Sequence, residues 1–336
     1  MTPRDLPRPA TDVGEPLPLD RAVSLLKVAG EPTRLRLLSL LSSGDLTVTD
    51  LTEVLGQSQP RISRHLKLLT EARLIDRYPE GSWVFYRLAQ NEEVESLRNV
   101  LARLDPDEHD LARDAERLEK VRARHAETAL SYFARNAADW DRIRALHAPE
   151  ATVERAMLDL VGSDQVERML DLGTGTGRLL ELFAPLYREG LGLDTSREML
   201  AIARDRLARA RIRHARVRRA DIVAAEVPRA RFDLVTMHQV LHFLDQPKAA
   251  VHEAVRALVP GGRLLVVDFA PHDHEFLRER QAHRRLGFAD EVMEAWITEA
   301  GAGVERFEVV PPDAQDGLTV TMWLGRRTSA GRTDGH

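Results

Sequence analysis

The chain has 336 residues, 30% of them charged and 43% hydrophobic, with a formal net charge of −5. That length allows two buried cores, and the mild acidity leaves any nucleic-acid affinity to a local patch. Cysteine is absent, which excludes disulfides, thiolate metal sites and a cysteine nucleophile, and no apolar run reaches the length of a membrane span.

The proline-rich opening from Met1 to Pro9 has no signal-peptide core, so a cytoplasmic protein with a disordered segment 1–18 is expected. Leu19 to Gly30 and Pro32 to Leu41 read as short amphipathic helices, with Leu25, Leu26, Leu35, Leu38 and Leu41 at helical spacing. Thr47 to Leu55 reads as a third helix capped by Thr47. After a turn at Gly56, the run Ser58 to Leu69 places Ile62, Leu66 and Leu69 on a core-facing side. Its other side presents Arg64 and Lys67, flanked by Arg61 and Ser63. Leu74 to Tyr78 and Trp83 to Leu88 are two strand-like runs joined by Pro79 to Ser82.

This is the pattern of a helix-turn-helix followed by a β-hairpin wing, in which the second helix enters the major groove. Gln59, Ser63 and Arg64 are expected near base edges, and Arg61, Lys67 and Arg87 nearer phosphates, with Arg77 of the wing completing the DNA-binding set. His65 lies nearer the apolar side, and both buried packing and backbone contact are open to it. The segment from Gly44 to Leu88, above all Ser58-Gln-Pro-Arg-Ile-Ser-Arg-His-Leu-Lys-Leu-Leu69, resembles the ArsR/SmtB family of winged-helix repressors. Members that sense thiophilic metals carry two cysteines in the third helix. Here Thr47 and Thr49 stand in those places, so soft-metal sensing there is not expected, and no metal site is assigned.

Val94, Leu97, Leu101 and Leu104 follow at alternating spacings of three and four. The resemblance makes this helix a homodimer seam; packing on its own domain is the alternative. Asp105 to Asp110 reads as a hinge, and Leu111 to Ala129 as a charged strut in which Leu111, Leu118 and Val121 could extend the dimer contact.

Met169-Leu-Asp-Leu-Gly-Thr-Gly-Thr-Gly177 reads as a strand ending near Asp171, then a turn with glycines at 173, 175 and 177. An acid at the strand tip would repel a pyrophosphate but suits a cationic or zwitterionic ligand carrying a nucleoside. Asp194 ends the next apolar run, where dinucleotide-type folds place a ribose-binding carboxylate. Further strands end near Ala220-Asp221-Ile222, at His238 and at Asp268; the last follows a turn at Pro260-Gly-Gly262. Five strands alternating with helices give a mainly parallel sheet.

Residues 125–327 resemble the class I S-adenosylmethionine (SAM)-dependent methyltransferases. The resemblance implies a SAM or S-adenosylhomocysteine (SAH) site on Asp171, Gly173, Thr174, Gly175, Gly177, Asp194, Thr195, Met199, Asp221, Ile222 and His238. It also casts the stretch from Tyr132 to Asp141 as a lid, with simple packing on the sheet as the alternative. The expected fold class is α/β: a mainly α winged helix over 19–104, a helical linker over 105–130, a Rossmann-like methyltransferase fold over 131–327, and a disordered tail over 328–336.

Two functions fit. One is a transcriptional repressor on double-stranded operator DNA whose methyltransferase-like domain senses SAM or SAH, an architecture that resembles SAH-responsive methionine-cycle regulators. The other is a working small-molecule methyltransferase that also binds DNA. The cofactor motifs are intact, but no base-methylation string and no cysteine nucleophile are present, so no catalytic residue is assigned. Methyl transfer by proximity needs none. His238 and His242, four apart, have helical metal-ligand spacing, but the resemblance gives that segment no metal role. His272 and His274 follow the fifth strand and are read as a polar loop, with a general base or a ligand contact as the alternative.

Overall fold

The computed structural model describes residues 18–80, 82–140, 150–223, 227–312 and 317–328. The expectations for residues 1–17 and 329–336, and for Asp141 at the end of the lid, lie outside the described residues. The chain divides into two compact units, residues 1–79 with 83–121, and residues 80–82 with 122–336.

The first unit is α1 (Leu19–Ala29), α2 (Pro32–Ser42), β1 (Leu46–Thr47), α3 (Val48–Leu55), α4 (Gln59–Glu71), β2 (Ile75–Glu80), β3 (Trp83–Leu88), α5 (Glu92–Leu101) and the start of α6 (His109–Asn136). The strands form a small sheet in the order β1-β3-β2. Local chemistry sets the helix ends. Thr47 and Asp50 form a reciprocal capping box on α3, which stops at Gly56 in the left-handed region (φ 63°). Pro60 sits in the first turn of α4, where a missing N–H costs nothing. Leu37, Leu38, Leu51, Ile62, Leu66 and Leu69 fill the core. Leu26, expected among the core leucines, is instead 67% exposed.

The spacing of Val94, Leu97, Leu101 and Leu104 serves this same core: Val94 and Leu101 are buried in it and the other two pack against it. Leu118 and Val121 of α6 join them. The helix expected over 111–129 runs from 109 to 136 and is more than a solvated strut. Asp114, 2% exposed, accepts hydrogen bonds from Nε and Nη2 of Arg36, both at 2.6 Å. Among the described residues of this unit, the large apolar side chains left exposed are Leu19, Val23 and Leu26 on one side of α1, Leu68 on α4 and Val100 on α5.

The second unit holds the end of α6, a 3₁₀ turn (Ala137–Asp139), α7 (Glu150–Val161), β4 (Val166–Leu172), α8 (Arg178–Leu182), β5 (Tyr187–Asp194), α9 (Arg197–Arg209), β6 (Ala215–Arg219), β7 (Phe232–His238), a second 3₁₀ turn (Leu241–Phe243), α10 (Pro247–Ala257), β8 (Leu258–Phe269), α11 (Phe276–Gln281), α12 (Asp290–Glu299), β9 (Ala302–Val310) and β10 (Val320–Arg327). Seven strands pair in the order β6-β5-β4-β7-β8-β10-β9. The first five run parallel; β10 lies antiparallel to both β8 and β9.

The first five strands match those expected from the sequence; β9 and β10 add to them. Most of β9 is exposed, so it lacks a buried apolar stripe. The turn expected at 260–262 is instead an irregularity inside β8: Phe232 pairs with Leu258, but Leu234 pairs with Arg263. Each face of the sheet carries an apolar layer. The chain steps outward from β4 to β5 and β6, then returns to β7 on the other side. The C-terminal ends of β4 and β7 therefore flank the switch point where open α/β sheets bind ligands.

Candidate functional site

The expected DNA-reading residues divide by exposure. Gln59, Arg61, Ser63, Arg64 and Lys67 all lie on the solvent side of α4, opposite Ile62, Leu66 and Leu69. Lys67 is 3.8 Å from Glu71 in a surface pair, which leaves it available to a stronger anion. His65 does not join this set. Its ring packs inward at 3.5 Å from Glu31, and burial holds its pKa below the ordinary value of 6.5 despite the Glu31 carboxylate. On the wing Arg77 is exposed, whereas Arg87 stacks 5.2 Å from the Tyr78 ring centre and lies 3.6 Å from Asp76.

At the switch point, Asp171 is buried and accepts a 2.7 Å hydrogen bond from its cross-strand partner Thr236. The backbone N–H groups of Gly173 and Thr174 both reach the carbonyl of Leu193 at 2.9 Å, tying the turn to β5. Gly173 has φ 72° and a side chain there would meet Val240; Gly177 has φ 79° where it caps α8. Both positions require glycine. Thr174 turns its side chain onto Gly192.

Asp194 closes the arrangement. Its carboxylate accepts the N–H of Gly175 at 2.8 Å and that of Ser196 at 2.8 Å. Burial raises its pKa, opposed by the N–H groups of Ser196, Gly175 and Thr195. Met199 and Ile222 are buried behind the edge, while Asp221 is exposed and accepts the Val223 N–H at 2.9 Å. Thr195 is half-buried, and its carbonyl accepts a hydrogen bond from Arg219. His238 ends β7 on the far side of β4.

Among the described residues no group of three or more His, Cys, Asp or Glu is set to hold a metal. His242 is buried, with Nδ1 at 2.7 Å from Asp268. Asp268 is fully buried and also accepts the N–H groups of Leu241 and Phe269. The His283 ring stacks on His242 at 4.2 Å between centres. Phe243 continues the array to Phe133 (4.7 Å), and Phe133 to Trp140 (5.2 Å). Trp140 Nε1 would lie 3.8 Å from a β-carbon on Gly175, which puts this expected lid residue beside the glycine turn.

Sequence reasoning missed two groups. Asp268 and His283 are separated from His242 by 26 and 41 positions, so no local spacing marks them. Asp245 receives His125 and Arg284, and these partners lower its pKa against a burial effect that would raise it.

Comparison with known proteins decides the family. Residues 31–77 match the family described as "Bacterial regulatory protein, arsR family", and residues 170–266 match "Methyltransferase domain". The transcriptional repressor SdpR of Bacillus subtilis (strain 168) is 32% identical over 88 residues, 26% of this chain and 98% of that protein. The chain belongs to the arsR family of bacterial regulatory proteins. The arsenical resistance operon repressor of Escherichia coli (strain K12) is 48% identical over 68 residues, which span 20% of this chain and 58% of that repressor. Beyond the region shared with these regulators, this arsR-family chain carries a methyltransferase domain. The N-methyltransferase NodS of Bradyrhizobium japonicum WM9, solved in complex with SAH, superposes with a TM-score of 0.50 at 22% identity, covering 59% of this chain and 98% of NodS, a likeness of fold.

Proposed function

We propose that this arsR-family regulator is a repressor whose methyltransferase domain binds SAM or SAH as the signal that changes its affinity for operator DNA. The observation that carries the ligand reading is Asp194. Two backbone N–H groups orient its carboxylate at the switch point, with oxygen lone pairs left to accept ribose hydroxyls. The turn, with no side chain at 173, 175 and 177, would take the amino acid part of the ligand. Met199 and Ile222 would flank the adenine, with Asp221 near its amino group and His238 and Trp140 lining the methionine side. Gln59, Ser63 and Arg64 would meet base edges, and Arg61, Lys67 and Arg77 phosphates. The homodimer would form through the exposed α1 stripe of Leu19, Val23 and Leu26 with Val100, rather than through the seam first read on α5.

Calorimetric titration with SAM and with SAH, in the presence and absence of a duplex selected from a random library, tests this reading. Ligand binding that changes DNA affinity supports it; ligand binding with no effect on DNA removes the signal role.

One observation favours a second reading, an active methyltransferase. Asp268 fixes the His242 ring through Nδ1, the arrangement that frees the other ring nitrogen to take a proton from an acceptor hydroxyl. When bound, SAM supplies the methyl group. Release of SAH from SAM in the presence of simple phenols, lost in His242→Ala, would establish this reading.

A further inference from the structure

We propose that the free edge of the methyltransferase domain, formed by the end of α9 and strand β6, is a second surface for duplex DNA that grips the phosphate backbone without reading sequence. This rests on the DNA-binding part of the proposed function and not on its ligand part. Residues 204–219 contain eight arginines against one aspartate, a formal charge of +7 in a chain whose total is −5. Outside these sixteen residues the protein is therefore more acidic than its total suggests, and this edge stands out as a local cationic field.

Geometry makes the charge available. Strand β6 is the outermost strand of its sheet. Arg216 and Arg218 pair with Leu191 and Leu193, so both side chains leave the same face, roughly 6.6 Å apart along the strand. That step is close to two phosphate rises on one DNA strand, so neighbouring guanidiniums can meet separate phosphates. Arg211 and Arg213, in the connection from α9, are exposed, as are Arg216 and Arg218. Among the described residues these four form no ion pair, whereas Arg209 is held by Asp205 at 2.7 Å.

Two plainer readings fall short. A charged edge strand does guard against edge-to-edge pairing, but one or two charges suffice for that. A solvated surface of ordinary composition would intersperse acids with bases, as α6 does, and this one holds a single acid. The cations are all arginine, the side chain whose planar fork suits phosphate. The surface sits in the unit that does not carry the recognition helix, so it adds affinity that is independent of operator sequence.

The test uses the full-length protein, a variant with Arg211, Arg213, Arg216 and Arg218 all changed to Gln, and an Arg61→Ala/Arg64→Ala variant with its recognition helix disabled. Binding to an operator-free duplex is followed by fluorescence anisotropy across a salt series. The Arg61→Ala/Arg64→Ala protein should retain salt-sensitive binding to that duplex, and adding the four Gln substitutions should abolish it. In the otherwise wild-type background, the four substitutions should flatten the dependence of log K on log salt by about 2 to 4. SAH binding and melting temperature should be unchanged, because these side chains are exposed. An unchanged salt slope overturns the proposal, as does loss of all non-operator binding with Arg61 and Arg64 alone. Stronger binding to an RNA hairpin than to the duplex overturns the assignment to DNA.

Discussion

The carboxylate of Asp194 accepts the N–H of Gly175 at 2.8 Å, so the acid at the tip of β5 holds the middle of the glycine turn that follows β4. The same group that would bind the ribose also shapes the loop that would bind the amino acid. Asp194→Ala is therefore expected to weaken SAH binding by one to a few powers of ten, at roughly 1.5–3 kcal/mol for each charge-assisted bond lost. Calorimetry checks this; SAH affinity equal to wild type would place the pocket elsewhere.

The pH dependence of that binding follows from the same carboxylate. Burial raises the Asp194 pKa above its ordinary value of 3.8. The ionised form accepts the ribose hydroxyls, so affinity is present above the raised pKa and lost as pH falls through it. The loss should thus begin at higher pH than an ordinary aspartate would give. Asp194→Asn should bind weakly with no such dependence across that window, as a titration series in mildly acidic buffers will show.

On the DNA side, Arg64→Ala should cost about 1–3 kcal/mol of operator affinity and relax specificity at one base pair if Arg64 reads a guanine. Lys67→Ala should weaken binding to all sequences alike. Quantitative gel shifts on operator and point-mutated operator separate the two patterns. Operator binding that survives loss of both Arg61 and Arg64 would mean that α4 does not read the groove.

Arsenite, cadmium and lead are expected to leave the protein on its operator. Thr47 and Thr49 supply no thiolate, and the chain has no cysteine elsewhere. Release by micromolar arsenite in a gel-shift assay would contradict this.

Breaking the pair between Arg36 and Asp114 should destabilise the winged-helix unit. Asp114→Ala leaves a largely buried guanidinium with only the exposed Asp110 carboxylate at 3.9 Å, at a cost of about 3 kcal/mol. Replacing both residues by Met and Leu should cost less, because no charge is then left behind. Chemical denaturation of the three proteins distinguishes the outcomes, and equal losses in the single and double variants would refute the argument.

What the sequence carried openly was local. The recognition helix announces itself because Ile62, Leu66 and Leu69 alternate with cations within twelve residues, and the glycine turn because three left-handed positions fall in five residues. The contacts that were not legible join distant segments: Arg36 to Asp114 across 78 positions, His242 to Asp268 across 26, His125 to Asp245 across 120. Spacing on α5 misled for a related reason. A heptad-like pattern says that one side of a helix is buried, but not by what, and here the domain's own core buries it. Strand β9 escaped notice because an edge strand exposed along most of its length need not alternate.

The start of α3 bears on how such regulators change their inputs. Thr47 accepts the Asp50 N–H while Asp50 accepts the N–H and hydroxyl of Thr47, so the place where relatives keep a metal thiolate is here the cap that begins the helix. Placing cysteines at 47 and 49 would then remove the cap, at about 1 kcal/mol of helix stability, before any metal arrived. Acquiring a metal input there would first pass through a less stable protein, an obstacle that lies in the hydrogen bonds of one helical turn rather than in any ligand set.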